Sequence, residues 1–225
     1  MKETLFHGSD HIIATPEFGA GKLYNDYGLG LYCTREHDLA GEWAVSRDRD
    51  GVINEYLLDM EGMSILNLNG EDYCILDWLE LLLENRTFDV QSDFAAEAVR
   101  YIHDNYGADY DDYDMIIGYR ADDSYFSFAQ DFLNNAISLA TLEKAMRLGE
   151  LGEQVVLKSR RSFERIEHVR ADKAESSVYY PNKEKRDEQA RRRYREMKNE
   201  PWQKGHTYIM QLMDREMKRD DLLIR

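Results

Sequence analysis

Residues able to do chemistry fall in four short stretches: Leu5 to Ser9, Tyr24 to Thr34, Arg120 to Asp123 and Glu153 to Leu157. In the second, Gly28, Gly30 and Tyr32 alternate with Leu29, Leu31 and Cys33. A period of two predicts a strand over Gly28 to Thr34, with two positions lacking side chains on the Tyr32 face. Glycines inside a strand mark close approach of something to the backbone. The pattern therefore fits a tyrosine at the end of a shallow trough that could hold a flat ligand, and it also fits an ordinary strand with a bulge. His7 offers an imidazole either to a ligand hydroxyl or to its own strand neighbours. Gln154 offers an amide that can accept from a hydroxyl but cannot act as a charged base. Glu150, Glu153, Asp122 and Asp123 are the nearby carboxylates that could. Asp123 also reads as the N-cap of a helix beginning at Ser124. Arg120 suits an anionic group or a solvent salt bridge, and Tyr27 reads as a core residue in preference to a lid on the cleft.

The elements that must position these residues follow from periodicity and punctuation. Short strands are expected at Leu5–Ser9, Gly51–Asp59, Met63–Leu68, Tyr113–Gly118, Gln154–Lys158 and Phe163–Val169. Helices are expected over Glu36–Arg47, Tyr73–Glu84, Asp93–His103, Ser124–Asn135 and Leu139–Arg147. Composition changes after about Ala171. Lys183 to Lys198 carries eight basic and four acidic residues, net +4, and reads as a solvated charged helix. A final amphipathic helix carries Ile209, Leu212, Met213 and Met217. The expected class is α+β, with a domain over 1–171 and a helical, charged extension over 172–225.

At 225 residues with a 43% hydrophobic fraction, the chain can bury a core. Its formal charge of −15 weighs against non-specific binding of nucleic acid by the body of the fold. Cys33 and Cys74 give no disulfide framework and no CxxC pair. No His, Cys, Asp and Glu cluster has ligand spacing, so no metal is expected. His11, His37 and His103 read as surface residues. No apolar run reaches membrane-spanning length and the first residues lack a signal-peptide core, so a cytoplasmic location and no membrane partner are expected.

Taken together and in order, the motifs resemble the ADP-ribosyltransferase superfamily, in its histidine–tyrosine–glutamate/glutamine branch shared with diphtheria toxin and the poly(ADP-ribose) polymerases. They are similar to a bacterial domain family within it, through Leu5-Phe6-His7-Gly8-Ser9, Asp26-Tyr27-Gly28-Leu29-Gly30-Leu31-Tyr32-Cys33-Thr34, Ile117-Gly118-Tyr119-Arg120-Ala121-Asp122-Asp123 and Glu153-Gln154-Val155-Val156-Leu157. The resemblance spans Leu5 to Val169 and implies a split β-sheet core with flanking helices. It implies NAD as substrate, held by His7, Gly8, Ser9, Gly30, Tyr32, Thr34, Asp122 and Asp123. His7 would bond a ribose hydroxyl, the Gly8 backbone would read the nicotinamide amide, and Tyr32 would stack on the ring. His7, Tyr32 and Gln154 would be the catalytic set, with Gln154 orienting a ribose hydroxyl where glutamate is common. The implied activity is transfer of ADP-ribose to a macromolecule, protein or nucleic acid, by a bacterial or phage toxin or effector checked by a small antitoxin or immunity protein. A catalytically inactive NAD-binding or interaction module and an NAD glycohydrolase are the alternatives.

Overall fold

A computed structural model describes residues 1–120, 123–148, 152–200 and 204–223. The chain forms two compact units: residues 1–67, 109–120 and 151–186 make a sheet unit, and residues 68–108, 121–150 and 187–225 a helical unit. The architecture is α+β.

The sheet unit holds two sheets. One is antiparallel, with β1 (Lys2–Ser9), β3 (Gly51–Asp59) and β7 (Ile166–Ala174) in the order β1-β3-β7. The other contains β2 (Leu31–Cys33), β4 (Ile65–Asn67), β5 (Met115–Tyr119) and β6 (Glu153–Leu157) in the order β2-β6-β5-β4. Its strands pair antiparallel except β4 with β5, which run parallel. Alternation puts Leu31, Cys33, Met115, Ile117, Val155 and Leu157 on one face, where they pack with Leu5 and Leu58 into a hydrophobic core. Helix α1 (His37–Ala44) packs Ala40 and Ala44 against Ile53 and Ala174. It comes so close to β1 that a Cβ on Gly8 would sit 2.0 Å from the Ala40 carbonyl oxygen.

Two strand expectations and the role of Gly30 change. The strand over Gly28–Thr34 is confined to Leu31–Cys33, because Gly28 takes a positive φ of 68° in a turn closed by its N–H on the Asn25 carbonyl. Gly30 is small because β6 lies against it: a Cβ there would stand 2.6 Å from Val156 Cγ1 and 2.7 Å from the Leu157 carbonyl oxygen. Phe163–Val169 splits into a short helix, α6 (Arg160–Glu164), and the start of β7. Ser159 causes the split, since its hydroxyl caps that helix by accepting from the Ser162 N–H at 3.1 Å.

The helical unit contains α2 (Ile75–Asn85), α3 (Asp93–Asn105), α4 (Asp123–Leu133), α5 (Leu139–Met146), α8 (Ile209–Asp214) and α9 (Arg219–Leu223). The long helix α7 (Ser176–Lys198) spends its first residues in the sheet unit and its last in this one. Phe128 stacks on Tyr194 at 3.8 Å, and the Tyr194 hydroxyl donates to Asp131. The charged face of α7 is partly spent on ion pairs: Arg191 with Asp187, Lys198 with Asp131, and, in the sheet unit, Arg186 with the buried Glu42. A boundary at residue 171 is therefore corrected. It falls inside β7, and the helical unit is assembled from separated insertions as well as the C-terminal residues.

Candidate functional site

The strands β1 and β2 are joined by a single bridge and then part. Phe6 N–H donates to the Thr34 carbonyl at 2.8 Å, and Thr34 N–H to the Phe6 carbonyl at 2.9 Å. Continued pairing would set Gly8 opposite Tyr32, yet no backbone hydrogen bond joins them among the described residues. The His7 side chain takes that acceptor instead, its Nδ1 lying 2.7 Å from the Tyr32 carbonyl oxygen. A carbonyl only accepts, so Nδ1 carries the hydrogen and Nε2 keeps its lone pair. Burial holds the His7 pKa below the ordinary histidine value; the Tyr32 carbonyl opposes this and His11 adds to it. The ring is thus a neutral acceptor at Nε2. Alternation turns the Gly8 N–H and C=O to the side that Phe6 uses, toward the gap where the strands separate.

Tyr32 is anchored at its hydroxyl, which donates to the Gly28 carbonyl at 2.6 Å and accepts from the Tyr27 N–H at 3.0 Å. Three further bonds fix the same loop. The buried Tyr27 donates its hydroxyl to the Tyr119 carbonyl at 2.6 Å, which makes it the core residue expected. The Lys158 ammonium donates to the carbonyls of Tyr27 at 2.6 Å and Leu29 at 2.7 Å.

Gln154 is the second residue of β6 and lies opposite Gly118 on β5. Tyr32 pairs with Val156, so Tyr32 and Gln154 share one face of the sheet. Gln154 is only 6% exposed, and its Oε1 has no hydrogen-bond donor among the described residues. A buried amide oxygen without a donor is costly. Glu153 turns to the other face, where the Arg35 guanidinium holds it at 2.5 Å while also bonding Glu3 at 2.6 Å. It is committed to an ion pair that ties β6 to β1.

The other expected ligands are placed differently. The Ser9 hydroxyl donates to the His11 carbonyl at 2.6 Å and accepts from Asn54 at 2.9 Å. Thr34 is 1% exposed; its hydroxyl accepts from the Glu36 N–H, and its backbone bridge to Phe6 ties the chain after β2 to β1. The missing Gly30 side chain makes room for β6, as described. The Arg120 guanidinium lies 4.4 Å from the Trp43 ring centroid. Asp122 and Glu150 lie outside the described residues, and Asp123 opens α4 in the helical unit.

Two positioning residues escaped the sequence reading. Asn54 is fully buried in β3 opposite His7, and its amide binds Ser9, the His11 carbonyl and the Ile13 N–H. Its signal was an asparagine within the apolar run Val52 to Leu58. Lys158 ends a run of buried valines and leucine. Away from these residues, Glu80, Glu84 and His103 bring ligand atoms within 4.8 Å of one another. Helices α2 and α3 create that grouping, which linear spacing does not reveal. Glu80 there accepts from His103 at 3.0 Å.

These features define a mixed α+β protein whose two sheets are bridged at one residue pair and separate beside His7, Gly8 and Tyr32. A family described as a protein of unknown function (DUF3990) matches residues 3–168, and the chain belongs to that family. No curated protein and no solved structure matches it. Among the described residues, no helix is long and apolar enough to cross a membrane.

Proposed function

We propose that the chain is an NAD-dependent ADP-ribosyltransferase, which moves ADP-ribose onto a macromolecular acceptor and releases nicotinamide. The observation that carries this reading is the parting of β1 from β2 after the Phe6–Thr34 bridge, with the Tyr32 carbonyl taken by His7. That arrangement presents the Gly8 N–H and C=O as an adjacent donor and acceptor, the pair that a carboxamide requires. The face of Tyr32 is the flat surface for a nicotinamide ring, and its anchored hydroxyl holds it in place. The Nε2 of His7 accepts from one ribose hydroxyl. The donorless Oε1 of Gln154 accepts from another and orients the sugar.

NAD is the substrate: it supplies the ADP-ribose that is transferred and the nicotinamide that leaves. The protein's contribution is to hold the leaving group and the sugar apart and to face the sugar with neutral acceptors as positive charge develops there. Gln154 does not deprotonate the acceptor. Glu153 does not either, being bound to Arg35. The resemblance adds a role as a bacterial or phage effector restrained by a small antitoxin.

The test is nicotinamide release from NAD by purified protein, with and without cell lysate, alongside His7→Ala and Gln154→Ala. Release that depends on lysate and is lost in both variants supports transfer. Equal release without lysate would identify a glycohydrolase. Binding of NAD without release would identify an inactive module, and neither binding nor release would overturn the reading.

A further inference from the structure

Lys158 is unusual for its place. It follows the buried Val155, Val156 and Leu157 on β6, and burial lowers its pKa from the ordinary lysine value, with Asp111 opposing. Its two shortest bonds go to main-chain oxygens, those of Tyr27 and Leu29, and its ammonium lies 5.3 Å from the Tyr110 ring centroid. The carbonyl between those two, Gly28, is the one bonded by the Tyr32 hydroxyl. The N–H that bonds the same hydroxyl belongs to Tyr27. Three successive carbonyls, those of residues 27, 28 and 29, are thus held by two side chains, and each side chain's geometry depends on where the other puts the loop.

We propose that Lys158 is a positioning residue for Tyr32: its ammonium fixes the Tyr27 and Leu29 carbonyls, and the loop so held sets the Tyr32 hydroxyl, through Gly28, and the plane of its ring for the nicotinamide. This rests on the NAD reading above. It adds a dependence between Gln154 and Tyr32, because Lys158 directly follows the strand that carries Gln154 and its stem lies 3.5 Å from where a Gly30 Cβ would be. A methionine at 158 keeps the stem and removes the donors.

Calorimetric NAD binding to the full chain in a cycle of wild type, Lys158→Met, Tyr32→Phe and the double variant tests it. Lys158→Met is expected to weaken NAD binding about tenfold, because charge-assisted bonds to the loop are lost. Lys158→Arg is expected to restore most of that. In the Tyr32→Phe background the same methionine should cost less than about threefold, since the route through the hydroxyl is already cut. Equal costs in both backgrounds would overturn the proposal and leave Lys158 a purely structural residue. Hydrogen exchange separates this result from failure of the NAD reading. If the wild type does not bind NAD, faster exchange of residues 27–31 in Lys158→Met still upholds the loop claim, and unchanged exchange refutes it.

Discussion

In the helical unit the buried Asp77 has all its needs met. One carboxylate oxygen accepts from the Cys74 N–H at 2.7 Å, and the other from the Gly107 N–H at 2.9 Å and the Arg219 guanidinium at 2.8 Å. In the sheet unit, at the parting of β1 and β2, Gln154 is also buried, and polar groups there are incompletely used. Gln154 Oε1 has no donor, and the Gly8 peptide faces a gap where Tyr32 has turned its carbonyl to a side chain. The contrast separates two uses of buried polarity. Where every polar atom is bonded, the group serves the fold, and removing it harms stability. Where the surroundings are rigid but one atom is unclaimed, the group is poised for something outside the chain.

The contrast can be broken by substitution. Asp77→Ala strips three donors of their acceptor and should lower unfolding free energy by about 3 kcal/mol in urea melts. Gly8→Ala drives a methyl into the α1 backbone. It should cost about 2 kcal/mol in the same measurement and weaken NAD binding as the β1–α1 contact yields.

Glu80 sharpens the comparison by sign. Burial pushes its carboxyl up to about 7, with the His103 bond opposing and Glu84 adding to the rise. A folded pKa above the ordinary 4.5 means that folding takes up a proton, so this stabilisation is full below about 4.5 and is lost as pH rises through about 7. Glu80→Gln is therefore expected to be more stable than wild type at pH 8 by about 1–2 kcal/mol, with no gain near pH 4, read from melts at both pH values. Gln154→Leu should have the smallest stability effect, within about 0.5 kcal/mol, because the oxygen it removes has no partner. Nicotinamide release should nevertheless fall by about 100-fold or more. A Gln154 variant that destabilises the fold as Asp77→Ala does would erase the distinction between the two regions.

Much of the architecture was legible because it is local. The β-favouring apolar residues of Gly51–Asp59 and the apolar helix positions of Asp93–His103 placed elements within two residues of those observed. The order of His7, Tyr32 and Gln154 was legible as motif. The role of Gly30 was not: a glycine beside a ligand and a glycine beside a neighbouring strand look alike in sequence, and only the Val156 contact distinguishes them. The domain boundary failed for a related reason. The charge change near Ala171 is real, but β7 runs to Ala174 because β3 offers it partners as far as Gly51.

The sequence by itself determined the strands, the helices and the residue types that line the junction, since backbone period and side-chain chemistry are local properties. Tertiary structure decided which of those groups are consumed. Glu153 is taken by Arg35, the Tyr32 carbonyl by His7 and the 27–29 loop by Lys158. Gln154 Oε1 is left without a donor among the described residues. A hydrogen bond depends on distances between chain segments far apart in sequence, and those distances exist only once the sheets have paired.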